Sequence, residues 1–283
     1  MTAGAATRRE PAAAPAGRSL RARWDRVVAA EFEAQPLRPP QAAITAEELA
    51  VLPDPVRRYV ERSGALGRPR PQNMRVVLDA LMYRKPGQAP MRARSVQYTF
   101  FGRPTRLFLM DARMFGLPVR ALHVYREEAA TFTVRVASAV TMVDLRGTDI
   151  SAAETVTVLN DLCLMAPGAL LDARLTWTEV DDHTAGVTFT NGPHRVTASL
   201  LFDDDGDLVD FWSDDRPDSS SGNFVPMRWS TPITEHRDVD GMHLLHRGSA
   251  VYDRPDGPFT YGEFTMRSID YDVPGPDGED RRP

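Results

Sequence analysis

Cysteine is almost absent from this chain, because Cys163 is the only one among 283 residues. An intramolecular disulfide is therefore impossible, which excludes the small secreted domains that disulfides hold together. Cys163 lies in an apolar stretch, and no basic residue nearby in the sequence could lower its pKa. We expect a buried and unreactive thiol rather than a catalytic nucleophile.

Long apolar segments are also missing from the sequence. No run approaches the roughly 20 apolar residues that a membrane-spanning helix needs. Residues 1–19 are rich in Ala, Pro and Arg and lack the compact apolar core of a secretory signal. These two absences lead us to expect a cytoplasmic protein without a membrane span.

Positive charge does not dominate the composition. The chain has 34 basic and 39 acidic residues, with a formal net charge of -5. A protein that binds the phosphate backbone generally carries an excess of basic residues. We therefore expect no nucleic-acid partner.

The common motifs for metals, nucleotides and serine hydrolysis are absent. The sequence contains no His-Glu-x-x-His, no paired Cys-x-x-Cys, no Gly-x-Ser-x-Gly and no glycine-rich phosphate loop. His243 and His246 lie three residues apart in a predicted strand, where such positions point to opposite faces. Asp203–Asp207 is typical of an Asp-Gly hairpin turn rather than a calcium loop. The sequence thus predicts no metal and no cofactor.

Three helical patterns follow the N-terminal tail. Apolar residues recur at helical spacing over residues 20–34, and a proline-rich linker reaches residue 44. Thr45 and Glu48 form a capping box, in which each side chain satisfies a free backbone N–H at a helix start. Asp54 is a good N-cap for a further short helix, and Gly64 suits its left-handed C-terminal residue.

The pattern changes from helical to extended at about Met74. Short segments rich in Val, Leu, Phe, Tyr and Thr alternate with Gly, Pro, Asn or Asp clusters, and their short connections favour antiparallel hairpins. We predict strands at 74–83, 93–101, 104–113, 118–126, 129–137, 140–145, 174–180, 184–190, 194–202, 207–213, 227–236, 242–252 and 259–272.

One long helix interrupts this run of strands. Ser151 and Glu154 have the spacing of a capping box, and Pro167-Gly168 ends the regular pattern. A sheet of this size must curl, because strands twist, and the helix at 152–166 is the natural cover for its concave face.

We therefore predict an α+β, mainly antiparallel β fold: a large, strongly curved sheet, or half-barrel, with an inserted covering helix and short N-terminal helices. The expected organisation is a disordered tail at 1–19, an amphipathic helix and linker at 20–44, a single curved-sheet domain at 45–273 and a frayed tail at 274–283.

Polar residues near one predicted strand end are the candidates for a site. Asp214 and Asp215 stand beside Arg216, so that the acids either pair with this arginine, recognise a ligand with it, or act as acid and base. Trp229 belongs to the same rim in this interpretation. Asn160 and Asp161 on the central helix either bond to strand ends or contact a ligand held below the helix.

Six motifs in order resemble a bacterial family known only as a domain of unknown function. They span roughly residues 50–272, and the family implies a single domain without bringing an activity or site residues. Its general shape is similar to the curved-sheet carriers of lipoproteins and lipids, in which helices plug a half-barrel, although this chain shows no export signal. The motifs are LPDPVRRYV, RLFLMDARMFGLPV, ETVTVLNDLCLMAPGALLD, LVDFWSDDR, RWSTP and YGEF.

The first functional hypothesis is a soluble protein that binds an apolar or amphipathic small molecule in the concavity, with polar contacts from Asn160, Asp161, Arg216 and Trp229. The second is an enzyme that acts on an apolar metabolite with Asp214 or Asp215 as acid or base. The third is a protein-interaction module that docks through a sheet edge. The sequence leaves the ligand and the oligomeric state open.

Overall fold

The computed structural model describes residues 19–219 and 223–276. The predicted disordered tail, apart from Ser19, and most of the predicted frayed tail lie outside these residues. Within them, no helix is long and apolar enough to cross a membrane. The helices are α1 (Leu20–Ala34), α2 (Ala46–Leu49), α3 (Asp54–Arg62) and α4 (Thr148–Met165), with a 3-10 turn at Pro167–Ala169.

The strands of the described residues form one antiparallel sheet in the order β6-β5-β4-β3-β2-β1-β14-β13-β11-β10-β9-β8-β7, while β12 pairs with β13 alone. This confirms the predicted curved half-barrel with a few helices. The strands are β1 (Asn73–Met82), β2 (Met91–Phe100), β3 (Thr105–Met114), β4 (Leu117–Arg126), β5 (Ala129–Val136), β6 (Val140–Arg146), β7 (Leu175–Asp181), β8 (Thr184–Asn191), β9 (His194–Phe202), β10 (Leu208–Ser213), β11 (Trp229–Ser230), β12 (Ile233–Val239), β13 (Met242–Arg254) and β14 (Gly257–Tyr271).

The strand predicted at 227–236 is two strands, β11 and β12. Pro232 stands between them and has no N–H to donate to a ladder, so it interrupts the pairing. The backbone N–H of Thr231 donates to the Phe211 carbonyl at 2.9 Å. The pairing partners therefore change at this point, and β12 pairs with β13 as a separate strand.

Helix α4 lies inside the curve of the sheet and contacts strands from both halves, including β5 and β9. Every residue from Ala153 to Met165 is buried, so the helix has no solvent-facing side. The helix therefore fills the concavity as a core element, rather than covering it with one apolar stripe. Its polar side chains must find their partners inside the protein.

The predicted capping box at the start of α4 is wrong. The helix begins at Thr148, and Gly147 precedes it with a φ of 104° that favours glycine. Ser151 is already inside the first turn, where its Oγ donates to the Gly147 carbonyl at 2.7 Å and accepts from the Ala130 N–H at 2.9 Å. Ser151 thus joins the helix to β5, and Glu154 is free to point into the interior.

Helix α1 packs on the outer face of the sheet. Trp24 and Phe32 lie against Tyr98 of β2, with ring centroids 5.8 and 5.4 Å away. Leu107 and Leu109 of β3 belong to the same apolar cluster. Side chains of α4 reach the opposite, inner face near one end of these strands, so this end is buried on both sides. The predicted capping box of Thr45 and Glu48 is present at the start of α2.

Candidate functional site

The alternation of β3 directs a charged side chain into the interior. Arg106, Phe108 and Met110 share one face of the strand, while Leu107 and Leu109 face α1. Arg106 reaches α4, where its Nε donates to Asp161 Oδ2 at 2.7 Å. The face that carries Arg106 is therefore the inner face of the sheet.

Five ionisable side chains meet between this face and α4, and we call them the interior polar cluster: Arg106, His123, Glu154, Asp161 and Arg216. Asp161 accepts from both Arg106 and Gln97, the latter at 2.6 Å from Gln97 Nε2. The side chains of Arg106 and Asp161 are 9% and 6% exposed, so the pair is almost fully removed from water.

Glu154 lies at the centre of the cluster with three longer contacts. Its carboxylate is 3.6 Å from Arg106 Nη1, 3.4 Å from His123 Nδ1 and 3.5 Å from Arg216 Nη2. Charge-assisted hydrogen bonds are usually about 2.7–2.9 Å long. One carboxylate thus shares its charge among three cationic or imidazole groups without a short bond to any of them.

Arg216 enters the cluster from the loop after β10. Its Nε donates to Thr157 Oγ1 at 2.9 Å, and its Nη1 donates to the hydroxyl of Tyr252. The guanidinium lies 4.4 Å from the ring centroid of Trp229, a cation–π arrangement. Trp229 is itself held by a hydrogen bond from its Nε1 to Tyr261 at 3.0 Å. Aromatic side chains therefore fix the position of this arginine.

Burial and charge act in opposite directions on these groups. Burial raises the pKa of Glu154, but its contacts with His123, Arg216 and Arg106 outweigh burial and lower this pKa to about 2. For Asp161 the effect of burial exceeds that of the Arg106 charge, so the pKa of Asp161 is raised. Burial lowers the pKa of His123 more than the Glu154 carboxylate raises it, so the neutral imidazole is favoured.

Next to the cluster lies an apolar surface that we call the inner wall. It belongs to the same inner face, because Ala80, Ala93 and Ala112 pair across β1, β2 and β3, and Met110 pairs with Ala121. No residue of α4 belongs to this cluster among the described residues. The inner wall consists of Ala80, Ala93, Phe108 and Met110, with Met82, Ala112, Ala121 and Phe264 packed against them.

One buried polar atom beside the inner wall, Ser95 Oγ, makes no hydrogen bond within residues 19–219 and 223–276. His123 Nδ1 lies 3.4 Å from the Glu154 carboxylate without a hydrogen bond of good geometry. Ser95 pairs with Met110, and His123 pairs with Phe108, so both flank the wall. A buried polar atom without a partner is costly, which makes this border a place where a polar group of a ligand would be stabilised.

The structure brings together three of the four residues predicted to bind a ligand. Arg216, Trp229 and Asp161 all lie in or against the interior polar cluster. Asn160 points elsewhere on α4 and donates to Thr231 at 2.6 Å. Asn160 therefore joins the helix to the chain after β11 and does not reach the cluster.

Asp214 and Asp215 are exposed and lie outside the cluster. Asp214 pairs with Arg228, at 3.0 Å between Oδ1 and Nε. Asp215 accepts from the backbone N–H and the hydroxyl of Thr197 at 2.7 and 2.8 Å. The expected pairing of these acids with Arg216 is wrong, because this arginine turns inward to Glu154. Neither acid has the buried setting that an acid/base pair at neutral pH needs.

The sequence interpretation missed Arg106, His123 and Glu154. Arg106 could have been noticed as a charged residue in register with Phe108 and Met110 on an otherwise apolar strand face. Glu154 and Asp161 are seven positions apart, which places them on one face of a helix. His123 had no local signal, since only the pairing of β3 with β4 brings it beside Phe108.

Three smaller predictions agree with the structure. Cys163 is fully buried, and burial raises the pKa of its thiol. The acidic segment at 203–207 connects β9 to β10 as a hairpin, with Gly206 at a φ of 83°. His243 and His246 contact different groups, Asp207 and Glu235 respectively.

A cleft of about 550 Å³ lies at the β1–β2 connection. It is lined by residues such as Tyr83, Lys85 and Phe259. None of its lining residues belongs to the interior polar cluster or to the inner wall. We therefore locate the candidate site by its buried polar chemistry and not by the size of an open cleft.

Comparison with known proteins yields no match among curated proteins. Among solved structures, an outer membrane lipoprotein-sorting protein domain from Vibrio parahaemolyticus is 8% identical, with 74% of this chain and 88% of that chain covered and a TM-score of 0.42. A LolA superfamily protein from Nitrosomonas europaea is 10% identical, with 82% and 96% covered and a TM-score of 0.42. A DUF1329 family protein from Desulfovibrio piger is 13% identical, with 72% and 87% covered and a TM-score of 0.40.

A family model matches residues 42–264, which is most of the described chain. The matched region begins just before α2 and includes both the interior polar cluster and the inner wall. The chain belongs to DUF6544, a family of unknown function.

Proposed function

We propose that this protein binds an amphipathic small molecule with an anionic head group. The head group contacts Arg106 and Arg216 at the interior polar cluster, and the apolar part lies along the inner wall. The observation that carries the proposal is the continuity of the two surfaces through Phe108. Its ring is 4.8 Å from the Arg106 guanidinium and 5.8 Å from the His123 ring, and it is also part of the wall.

The arginines retain hydrogen-bonding capacity for an anion. A guanidinium has five N–H donors. Among the described residues, Arg106 makes one short hydrogen bond, from Nε, and its Nη1 lies 3.6 Å from Glu154. The Nη2 of Arg216 similarly makes a long contact of 3.5 Å with Glu154. A carboxylate or phosphate group near Glu154 would complete these bonds, and a bidentate contact with either arginine is well suited to it.

The inner wall has the composition of a surface for a flexible apolar chain. Four of its residues are alanines, whose side chains are small. Met82 and Met110 add adaptable thioether side chains to that surface. No residue of α4 belongs to this cluster among the described residues, so the wall is formed by the strands alone.

Fluorescence titration with two matched probes tests the proposal. The first probe, 11-(dansylamino)undecanoic acid, has an anionic head group, and the second, N-undecyl dansylamide, has the same apolar length without the carboxylate. We expect saturable fluorescence enhancement with the carboxylic acid probe. The probe without a carboxylate should bind at least tenfold more weakly, since one good charge-assisted contact contributes about 1.5–3 kcal/mol. Equal affinities for the two probes would contradict a head-group site.

Variants separate the two halves of the site. Ala121→Phe places a large ring on the inner wall and should weaken the binding of both probes. Ala129→Phe, the same change at an exposed position of β5, should affect the binding of neither probe. Arg216→Gln should weaken the binding of the carboxylic acid probe alone, and Arg216→Lys should restore part of that affinity. Each variant is first checked for an unchanged melting temperature. Unaltered binding in both Ala121→Phe and Arg216→Gln would refute this site.

A second measurement identifies the natural ligand. The protein is purified gently, and its mass is compared under native and denaturing conditions. A stoichiometric anionic amphiphile that dissociates on denaturation is the expected result. An apolar passenger without an anionic group would contradict the proposed role of the arginines while leaving the inner wall in place.

A further inference from the structure

Asp207, His236 and His243 form a second cluster of polar side chains, separate from the site described above. It lies where the start of β10 meets the hairpin of β12 and β13. The possible ligand atoms of the three side chains all lie within 4.8 Å of one another. Asp207 is buried, and the two imidazole rings stack with their centroids 5.3 Å apart. The β9–β10 turn and two strands therefore present one carboxylate and two imidazoles to a common point.

The surroundings orient two of these groups. His243 Nδ1 is 2.8 Å from Asp238 Oδ1, and the two residues are paired across β12 and β13. A donated Nδ1–H directs the lone pair of Nε2 towards Asp207, whose Oδ2 is 3.3 Å away. Asp207 in turn is held by its backbone N–H, which donates to Asp203 Oδ1 at 2.9 Å.

This arrangement has the features of a divalent transition-metal site. A carboxylate that accepts the Nδ1–H of a histidine, with Nε2 left for the metal, is the usual second shell of zinc ligands. Two ligands of a tetrahedral Zn²⁺ at about 2.0–2.1 Å from the metal are roughly 3.3–3.4 Å apart. The contact between His243 Nε2 and Asp207 Oδ2 at 3.3 Å has this separation.

We propose that Asp207, His236 and His243 bind a divalent transition metal of the Zn²⁺ type, with remaining positions open to water. Two imidazoles and one carboxylate form a recurrent ligand set for such ions. The metal would connect the β9–β10 turn to the β12–β13 hairpin. This site is independent of the proposed binding of an amphiphile, because the two share no residue.

Arg62 of α3 binds the same Asp207 carboxylate that the proposed metal would use, and therefore competes with the metal. Its Nε and Nη2 donate to the two oxygens of Asp207 at 3.2 and 3.4 Å. The Arg62 side chain is 46% exposed, so it can turn into solvent when a metal takes the carboxylate. The arrangement therefore predicts that removing this arginine strengthens metal binding.

The test uses tag-free, full-length protein that has been stripped with chelator, and titrates it with ZnCl₂ by calorimetry and with CoCl₂ by visible absorption. We expect one Zn²⁺ per chain, a higher melting temperature with Zn²⁺, and Co²⁺ bands that show imidazole and carboxylate ligation. His236→Phe keeps a stacked ring and should lose this binding. Asp238→Asn should weaken it by about 10- to 100-fold.

Arg62→Met and His246→Phe complete the design. Arg62→Met should raise the affinity for Zn²⁺, which a site elsewhere on the chain would not show. His246→Phe changes a histidine of the same strand that contacts Glu235 instead, so its binding should equal that of the unmodified protein. Unchanged Zn²⁺ binding in His236→Phe, or an equal loss in His246→Phe, would overturn the proposal.

Discussion

Arg106 of β3 and Asp161 of α4 form an ion pair inside the curved sheet, with Nε 2.7 Å from Oδ2 and both side chains less than a tenth exposed. The pair joins the helix to the sheet at the point where the inner wall begins. A buried pair of this kind is costly to break from one side, because the remaining charge has no counter-ion. Its position links the stability of the fold to the proposed head-group site.

Breaking this pair from one side should destabilise the protein more than removing both charges. Arg106→Met leaves the Asp161 carboxylate without its cation and should lower the free energy of unfolding by roughly 3–5 kcal/mol. The double variant Arg106→Met/Asp161→Leu should recover most of this loss. Urea denaturation measures both values. Arg120→Met, which breaks the exposed pair with Asp111, is the control and should cost about 1 kcal/mol or less.

Glu154 should make stability depend on pH in the acid range. Its folded-state pKa of about 2 is below the ordinary 4.5, so the native state stabilises the ionised form. This contribution is complete above pH 4.5 and is lost as the pH falls from 4.5 towards 2. It amounts to roughly 3 kcal/mol, since one pKa unit corresponds to about 1.36 kcal/mol.

Glu154→Gln isolates that contribution. The difference in unfolding free energy between the unmodified protein and this variant should be largest near neutral pH and should shrink between pH 4.5 and 2, as measured by denaturation at several pH values. Glu61→Gln, at an exposed position of α3, should show no such change. A difference that stays constant over this range would contradict the low pKa of Glu154.

Ser151→Ala tests the connection between α4 and β5. The substitution removes the acceptor of the buried Ala130 N–H and should cost roughly 1–3 kcal/mol. Hydrogen exchange should show faster exchange of the Ala130 amide. Thr45→Ala, which removes a true N-cap, should cost about 1 kcal/mol without affecting that amide. An unchanged Ala130 exchange rate in Ser151→Ala would mean that the bond does not protect this strand.

Trp24→Ala tests whether α1 is part of the cooperative fold. Trp24 is 1% exposed and packs on Tyr98, so its truncation should lower the free energy of unfolding by roughly 3–5 kcal/mol. Arg26→Ala on the exposed side of α1 should have little effect. If Trp24→Ala instead left the main urea transition unchanged and only abolished an early one, α1 would be an independently unfolding segment.

Local patterns were sufficient for most of the fold. The strands follow from alternation and turn residues, and α1 and α2 follow from helical spacing and a capping box, because each signal depends on neighbours within a few positions. The start of α4 was misplaced for the opposite reason. The partner of Ser151 is Ala130, which lies 21 residues earlier on another strand. The split at Pro232 has a local cause, because proline cannot donate to a strand ladder.

The sequence by itself determined an antiparallel curved sheet with an inserted helix, and it identified Arg216, Trp229 and Asp161 as polar residues with a special position. Only the tertiary structure decided that α4 fills the concavity and that Glu154 contacts Arg106, His123 and Arg216. These side chains come from a helix, two strands and a loop. Their meeting depends on the curvature and register of the whole sheet, which no short stretch of sequence encodes.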